Sequence, residues 1–139
     1  MALPLAERQE FLARPHIGAL AVAGAPGRAP LNVPIWYHYT PGGELWVLTG
    51  ATSKKLELLQ AAQRFSLMAQ VLEPTIRYVT AEGPVTRIEP GDELVREMAA
   101  RYLPAEKLEG YLEYAQSHGE QVAVYMRPEQ WLSADLGSV

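Results

Sequence analysis

Leu31-Asn32-Val33-Pro34-Ile35-Trp36-Tyr37-His38-Tyr39, then Thr40-Pro41-Gly42-Gly43, then Glu44-Leu45-Trp46-Val47-Leu48-Thr49, is the stretch that decides the fold. In its first part Leu31, Val33, Ile35, Tyr37 and Tyr39 alternate with Asn32, Pro34, Trp36 and His38. Successive side chains of a strand point to opposite faces, so this alternation predicts a strand with one core-facing side. Pro41-Gly42-Gly43 turns the chain. Glu44 to Thr49 then returns as the second arm of a hairpin, and strands joined by so short a turn pair antiparallel.

Working outward, Ile17 to Ala23 is compact and apolar and reads as a buried strand, set off by the turn Gly24-Ala25-Pro26-Gly27-Arg28. Before it, Pro4 to Ala13 reads as a short amphipathic helix with Leu5, Phe11 and Leu12 apolar, stopped by Pro15. Downstream, Ser53 to Ala62 reads as a helix that turns Leu56, Leu58 and Leu59 to the core. Strands follow at Arg64 to Leu72 and Arg77 to Ile88, with Glu73-Pro74-Thr75 between them. Pro90-Gly91-Asp92 opens a helix to Tyr102 carrying Leu94, Met98 and Ala99 in one stripe, and Pro104 begins another to His118. Gln121 to Met126 is a strand, and Arg127-Pro128-Glu129 leads into a short extended piece around Trp131. This order predicts a mainly β, α+β chain whose six antiparallel strands close into a small barrel, which removes exposed edges. No repeat or linker divides it, so residues 1–139 are expected to form one domain.

Composition narrows the function classes. A net charge of -4, with no basic run beyond Lys54-Lys55, argues against a nucleic-acid partner. No apolar run approaches the ~20 residues of a membrane span. The N-terminal Met1-Ala2-Leu3-Pro4-Leu5 lacks a signal-peptide pattern, so a cytoplasmic location is expected. The chain has no cysteine, and His16, His38 and His118 lack metal-site spacing, so no metal centre is expected.

Thr49-Gly50-Ala51-Thr52-Ser53-Lys54-Lys55 carries the chemistry. A helix N-terminus is electropositive and favours acids, yet two lysines open this helix. Hydroxyls, free backbone N–H groups and two cations at one point suit an anion such as phosphate. The plainer reading is a capped, solvated helix, with Glu57 as its first acid. The Gly-x-x-x-x-Gly-Lys spacing of a P-loop is missing. Trp36 and His38 pack under the helices on one reading and receive a flat ligand on the other, and Pro34 marks an edge or bulge. Glu106, Glu109, Glu113 and Glu120 read as a solvated face, and Tyr111 and Tyr114 as packing.

Taken together, several segments resemble the pyridoxamine 5'-phosphate oxidase-like family of flavin-binding split barrels. They are Ile17 to Val22; Ala29 to Tyr37; Leu45 to Gly50 with Ser53-Lys54-Lys55; Ala81-Glu82-Gly83-Pro84-Val85; and Arg127-Pro128-Glu129-Gln130-Trp131. The resemblance implies a split-barrel homodimer with flavin mononucleotide (FMN) at the subunit interface. By the same resemblance Thr49, Ser53, Lys54 and Lys55 match the phosphate-binding turn, and Val33, Pro34, Ile35 and Trp36 match the strand beneath the flavin ring. Arg77 and Tyr78 match a cofactor-contacting pair that is arginine then glutamine in the true oxidases, so Tyr78 departs from the pattern. The arginine- and histidine-bearing segment that holds the substrate phosphate in those oxidases is not found after Trp131. The implied activity is an FMN-dependent oxidoreductase acting on a small planar substrate, with His38 and Tyr78 as candidates near the ring and no catalytic residue assigned. The alternatives are a deazaflavin-dependent reductase and a non-catalytic module that binds flavin or haem.

Overall fold

The computed structural model describes residues 2–138; Met1 and Val139, the ends of the expected domain, lie outside them. Helix α1 (Leu5–Ala13) precedes strands β1 (Gly18–Val22), β2 (Leu31–Ile35), β3 (Tyr37–Tyr39) and β4 (Leu45–Gly50). Helix α2 (Lys54–Ala62) leads into β5 (Arg64–Val71) and β6 (Arg77–Pro90). A 3-10 turn at Asp92–Leu94, α3 (Val95–Tyr102) and α4 (Ala105–Gln116) precede β7 (Gln121–Met126) and β8 (Gln130–Asp135).

Every strand pairing is antiparallel, in the order β2-β1-β5-β6-β7-β4-β3, with β8 added against β6. The first and last strands of that order, β2 and β3, are consecutive pieces of the run Leu31–Tyr39. One run of chain therefore supplies both edges and curls the sheet into a split barrel. Counting β2 and β3 as one bent strand leaves the six expected strands in the ring, with β8 outside it.

The bend is where the expected continuous strand breaks, at Trp36. Two α3 side chains hold the corner. The Tyr102 hydroxyl accepts the Tyr37 N–H at 3.1 Å and donates to the His16 carbonyl at 2.8 Å. Arg101 Nε donates to the Tyr37 carbonyl at 3.1 Å and its Nη1 to the Ala13 carbonyl at 3.2 Å. Strand β6, expected to end at Ile88, continues to Pro90 and serves both halves of the barrel. It pairs β5 as far as Pro84 and β7 from Val85 on, with a shift of register between Val85 and Arg87. Such a bulge bends the strand and steepens its twist. Gly83 sits just before it, where the Arg127 carbonyl would lie 1.8 Å from any Cβ. The extended piece around Trp131 is β8, in register with β6 from Arg77↔Asp135 to Glu82↔Gln130.

The alternation that predicted the hairpin holds. Ile35, Tyr37, Tyr39, Leu45 and Val47 are buried in the barrel with Leu20, Leu67, Val79, Val124 and Met126. Leu12 of α1 and Leu56 and Leu59 of α2 join this core. The buried Tyr37 hydroxyl donates to the Leu12 carbonyl at 2.8 Å, which satisfies a polar group that burial would otherwise destabilise. The opposite face of β3, β4 and β7 carries His38, Trp46, Ala123 and Tyr125 in matched register. The α3–α4 hairpin covers it, with Met98 packed against Trp46, Ala123 and Tyr125. Among the described residues the outer face of β1, β5, β6 and β8 is left unburied, α1 and α2 turning Leu12, Leu56 and Leu59 to the core. By the same alternation that face presents Ala19, Ala21, Met68, Tyr78, Thr80 and Leu132, none of them buried.

Candidate functional site

The turn between β4 and α2 is built around one hydroxyl. Ser53 is the N-cap of α2: its Oγ accepts the Leu56 N–H at 3.1 Å and donates to the Gly50 carbonyl at 2.8 Å. Thr49 is only 3% exposed, and its Oγ1 lies 3.0 Å from Ser53 Oγ. Thr49 thus buttresses the cap from inside the barrel, while Thr52 stands exposed at the tip. The first intrahelical bond runs from the Glu57 N–H to the Ser53 carbonyl, which leaves the N–H groups of Lys54 and Lys55 without a partner among the described residues.

The two lysines differ. Lys54 is exposed and its ammonium pairs with Glu57 at 3.3 Å, so the helix does carry an acid in its first turn and the plainer reading describes Lys54. Lys55 is half-buried, has no ion pair among the described residues, and burial alone pushes its pKa below the usual lysine value. Unpaired cations close to low-dielectric surroundings raise the free energy of the folded chain unless an anion arrives.

The remaining candidates divide between two concavities. Val33 and Pro34 line an open groove of about 540 Å³ on the uncovered sheet face, with His16, Ala19, Met68 and Gln70. Ile35 and Trp36 line a second cavity of about 290 Å³, between the sheet and the α3–α4 hairpin. The Trp36 indole stacks on Tyr102 at 4.9 Å and 7° and meets Tyr111 at 5.2 Å. His38 stacks on Trp46 at 5.0 Å, and its Nε2 lies 3.2 Å from a Glu97 carboxylate oxygen. Burial, with Arg101 nearby, outweighs Glu97 and holds the His38 pKa below the usual imidazole value. Both side chains have therefore entered the helical layer. Arg77 is paired with Asp135 at 2.9 Å, tying β6 to β8, and Tyr78 stands beside it on the uncovered face opposite Ala134 and Gln70. The structure thus brings Thr49 and Ser53 together and sets Val33 and Pro34 apart from Ile35 and Trp36.

Tyr111 and Tyr114, expected as packing, line the second cavity with Ala115 and with His118, which lies just beyond the end of α4. The spacing of three and four places Tyr111, Tyr114 and Ala115 on one helical face, and that spacing was the available signal. Among the described residues no cluster of histidines and acids could hold a metal ion, and no helix is long and apolar enough to cross a membrane.

The family model for pyridoxamine 5'-phosphate oxidase matches residues 5–134. The chain belongs to the pyridoxamine 5'-phosphate oxidase family. This is a family of flavin-binding oxidoreductases, and its split barrel is the fold seen here. A conserved hypothetical protein of Mycobacterium tuberculosis is similar at 25% identity, covering 97% of this chain and 86% of its own, with a TM-score of 0.73. An F420 reductase superposes with a TM-score of 0.70 at 21% identity, covering 89% of this chain and 94% of its own. A FAD-binding protein of Mesorhizobium loti gives 0.66 at 22% identity, over 96% and 95% of the two chains. No curated protein matches the sequence.

Proposed function

We propose that the chain is an FMN-dependent oxidoreductase whose β4–α2 turn holds the cofactor's phosphate. The observation that carries this reading is Lys55, a half-buried ammonium beside two N–H groups at a helix start, none of which has a partner among the described residues. The donor set fits a phosphate: the Lys55 ammonium, the N–H groups of Lys54 and Lys55, and the exposed Thr52 hydroxyl. Ser53 and Thr49 shape the turn, because the Ser53 hydroxyl proton is already directed to the Gly50 carbonyl. When bound, the flavin supplies hydride and electron transfer, and the protein supplies binding and orientation.

Val33 and Pro34 line the groove that we assign to the flavin ring, since the Trp36 faces are engaged by Tyr102 and Tyr111. That groove opens onto the uncovered sheet face, where Ile17, Leu72, Ile76 and Leu132 are 58%, 69%, 47% and 62% exposed. A second copy docked there would cover apolar surface and enclose the groove, which supports a homodimer with cofactor at its interface and Tyr78 within reach of it. FMN is favoured over a deazaflavin with an acidic tail by the neighbouring surface. The Glu120 carbonyl bonds the Ala51 N–H, so the acid-rich face with Asp92, Glu93, Glu109 and Glu113 lies beside the turn.

Native mass spectrometry with FMN and deazaflavin supplied together is the test. A dimer carrying two FMN is expected. A monomer retaining full FMN affinity, or deazaflavin taken in preference, contradicts the reading. Turnover of a nicotinamide donor by the loaded protein separates an enzyme from a non-catalytic flavin carrier.

A further inference from the structure

The cavity under the α3–α4 hairpin has a cause in the packing. Helix α4 runs for 12 residues with an apolar face of Leu108, Tyr111, Leu112 and Ala115, yet none of its residues is buried. It stands off from the sheet, while α3 buries Met98 and Ala99. The gap is the space of about 290 Å³ walled by Ile35, Trp36, Leu48, Met98 and Tyr111. A cavity of ~150 Å³ holds one benzene ring, so this one matches two fused rings. Its walls include the indole and phenol rings of Trp36 and Tyr111, which favour a flat aromatic occupant over a branched aliphatic one.

The mouth is polar and fixed. His118 Nδ1 lies 2.7 Å from the Tyr114 carbonyl, which can only accept, so Nδ1 carries the proton. The Ser117 hydroxyl, 3.0 Å from the same nitrogen, donates to that carbonyl and accepts from Nδ1. With the proton on Nδ1, Nε2 is the acceptor of the uncharged tautomer, and Nε2 has no partner among the described residues. The side-chain amide of Gln121 and the hydroxyls of Tyr111 and Tyr114 likewise have none, although all three residues line the cavity.

We propose that this cavity is a binding site for a neutral, planar, two-ring aromatic carrying a hydroxyl, with the rings beneath α4 beside the Trp36–Tyr111 pair and the hydroxyl donating to His118 Nε2. The site is separate from the groove along Val33 and Pro34, and it stands whether or not the chain binds FMN.

Isothermal titration calorimetry of the full chain with 2-naphthol tests it. One saturable site per chain is expected, with 2-methoxynaphthalene at least tenfold weaker because it has no proton to give. His118→Phe should erase that preference while naphthol still binds. Ala115→Trp fills the cavity and should abolish binding; Val95→Phe fills it from the α3 wall and replaces it if circular dichroism finds the first variant unfolded. No saturable binding, unchanged affinity in a folded cavity-filling variant, equal affinity for the two ligands, or displacement of naphthol by one equivalent of FMN would each overturn the proposal.

Discussion

Replacing Lys55 and Lys54 one at a time by glutamine should separate two residues that look equivalent in sequence. Lys54 is 69% exposed and already paired with Glu57, itself 65% exposed. Interactions of such solvated ammonium groups contribute about 0–1 kcal/mol, so Lys54→Gln should weaken FMN binding about fivefold at most. Lys55 is half-buried and without a counter-charge, and a hydrogen bond to a charged group contributes about 1.5–3 kcal/mol. Lys55→Gln should therefore weaken FMN binding about 10- to 150-fold. Riboflavin, which lacks the phosphate, should bind both variants much as it binds the parent. Titration followed by flavin fluorescence measures the affinities of the parent and both variants for both ligands. In the absence of ligand, urea unfolding should find the Lys55 variant no less stable than the parent, because the cation it removes is uncompensated. If Lys54→Gln costs as much FMN affinity as Lys55→Gln, or riboflavin binding falls in parallel with FMN, the phosphate does not sit at Lys55 and the reasoning fails.

Ser53→Ala removes the α2 cap and strands the buried Thr49 hydroxyl, and should cost about 1–2 kcal/mol in urea unfolding; a smaller loss than Thr52→Ala would contradict the geometry. Gly83→Ala drives a Cβ into the Arg127 carbonyl, backbone against backbone, and should cost about 3 kcal/mol or more, read as a lowered Tm. Burial is the largest influence on both His16 and His38 and holds both below the ordinary imidazole value of 6.5. The unfolded chain takes up these protons first, so the stability present above pH 6.5 should be lost progressively as pH falls through the lower folded values. Unfolding measured between pH 7 and 5 should slope accordingly, and the His16→Gln/His38→Gln double variant should flatten the slope; identical slopes would refute this assignment.

The alternation of Leu31 to Tyr39 made the hairpin legible, because a strand's period of two is local and needs no knowledge of the partner. The break at Trp36 was not, since the groups that hold the Tyr37 backbone, Arg101 and Tyr102, are more than sixty residues away in the chain. The full extent of β8 was hidden for a similar reason: the piece around Trp131 becomes a strand by pairing with β6, far away in the chain, from Arg77↔Asp135 to Glu82↔Gln130. At the turn, the sequence located Ser53, Lys54 and Lys55 together. The asymmetry between the lysines depends on which one the sheet shields, and no local spacing encodes that. On α4, apolar periodicity read as ordinary packing, because the pattern gives the direction of a helix face and not its distance from the layer beneath.

The shared run Leu31–Tyr39 also sets an order of events during synthesis. Its first half can pair with β1 as soon as both have emerged, and β3 can fold back on β4 soon after. Among the described residues the arm made by β3 and β4, however, is hydrogen-bonded to the rest of the sheet through β7, with Leu45↔Met126 and Gly50↔Gln121 at the two ends of the pairing. Until residue 126 has left the ribosome, Trp46 and Leu48 have no sheet neighbour on that side and an open strand edge faces the cell. Pairings so distant in sequence are slow to form, so this barrel closes late, and the nascent chain exposes a sticky hairpin until β7 has been made.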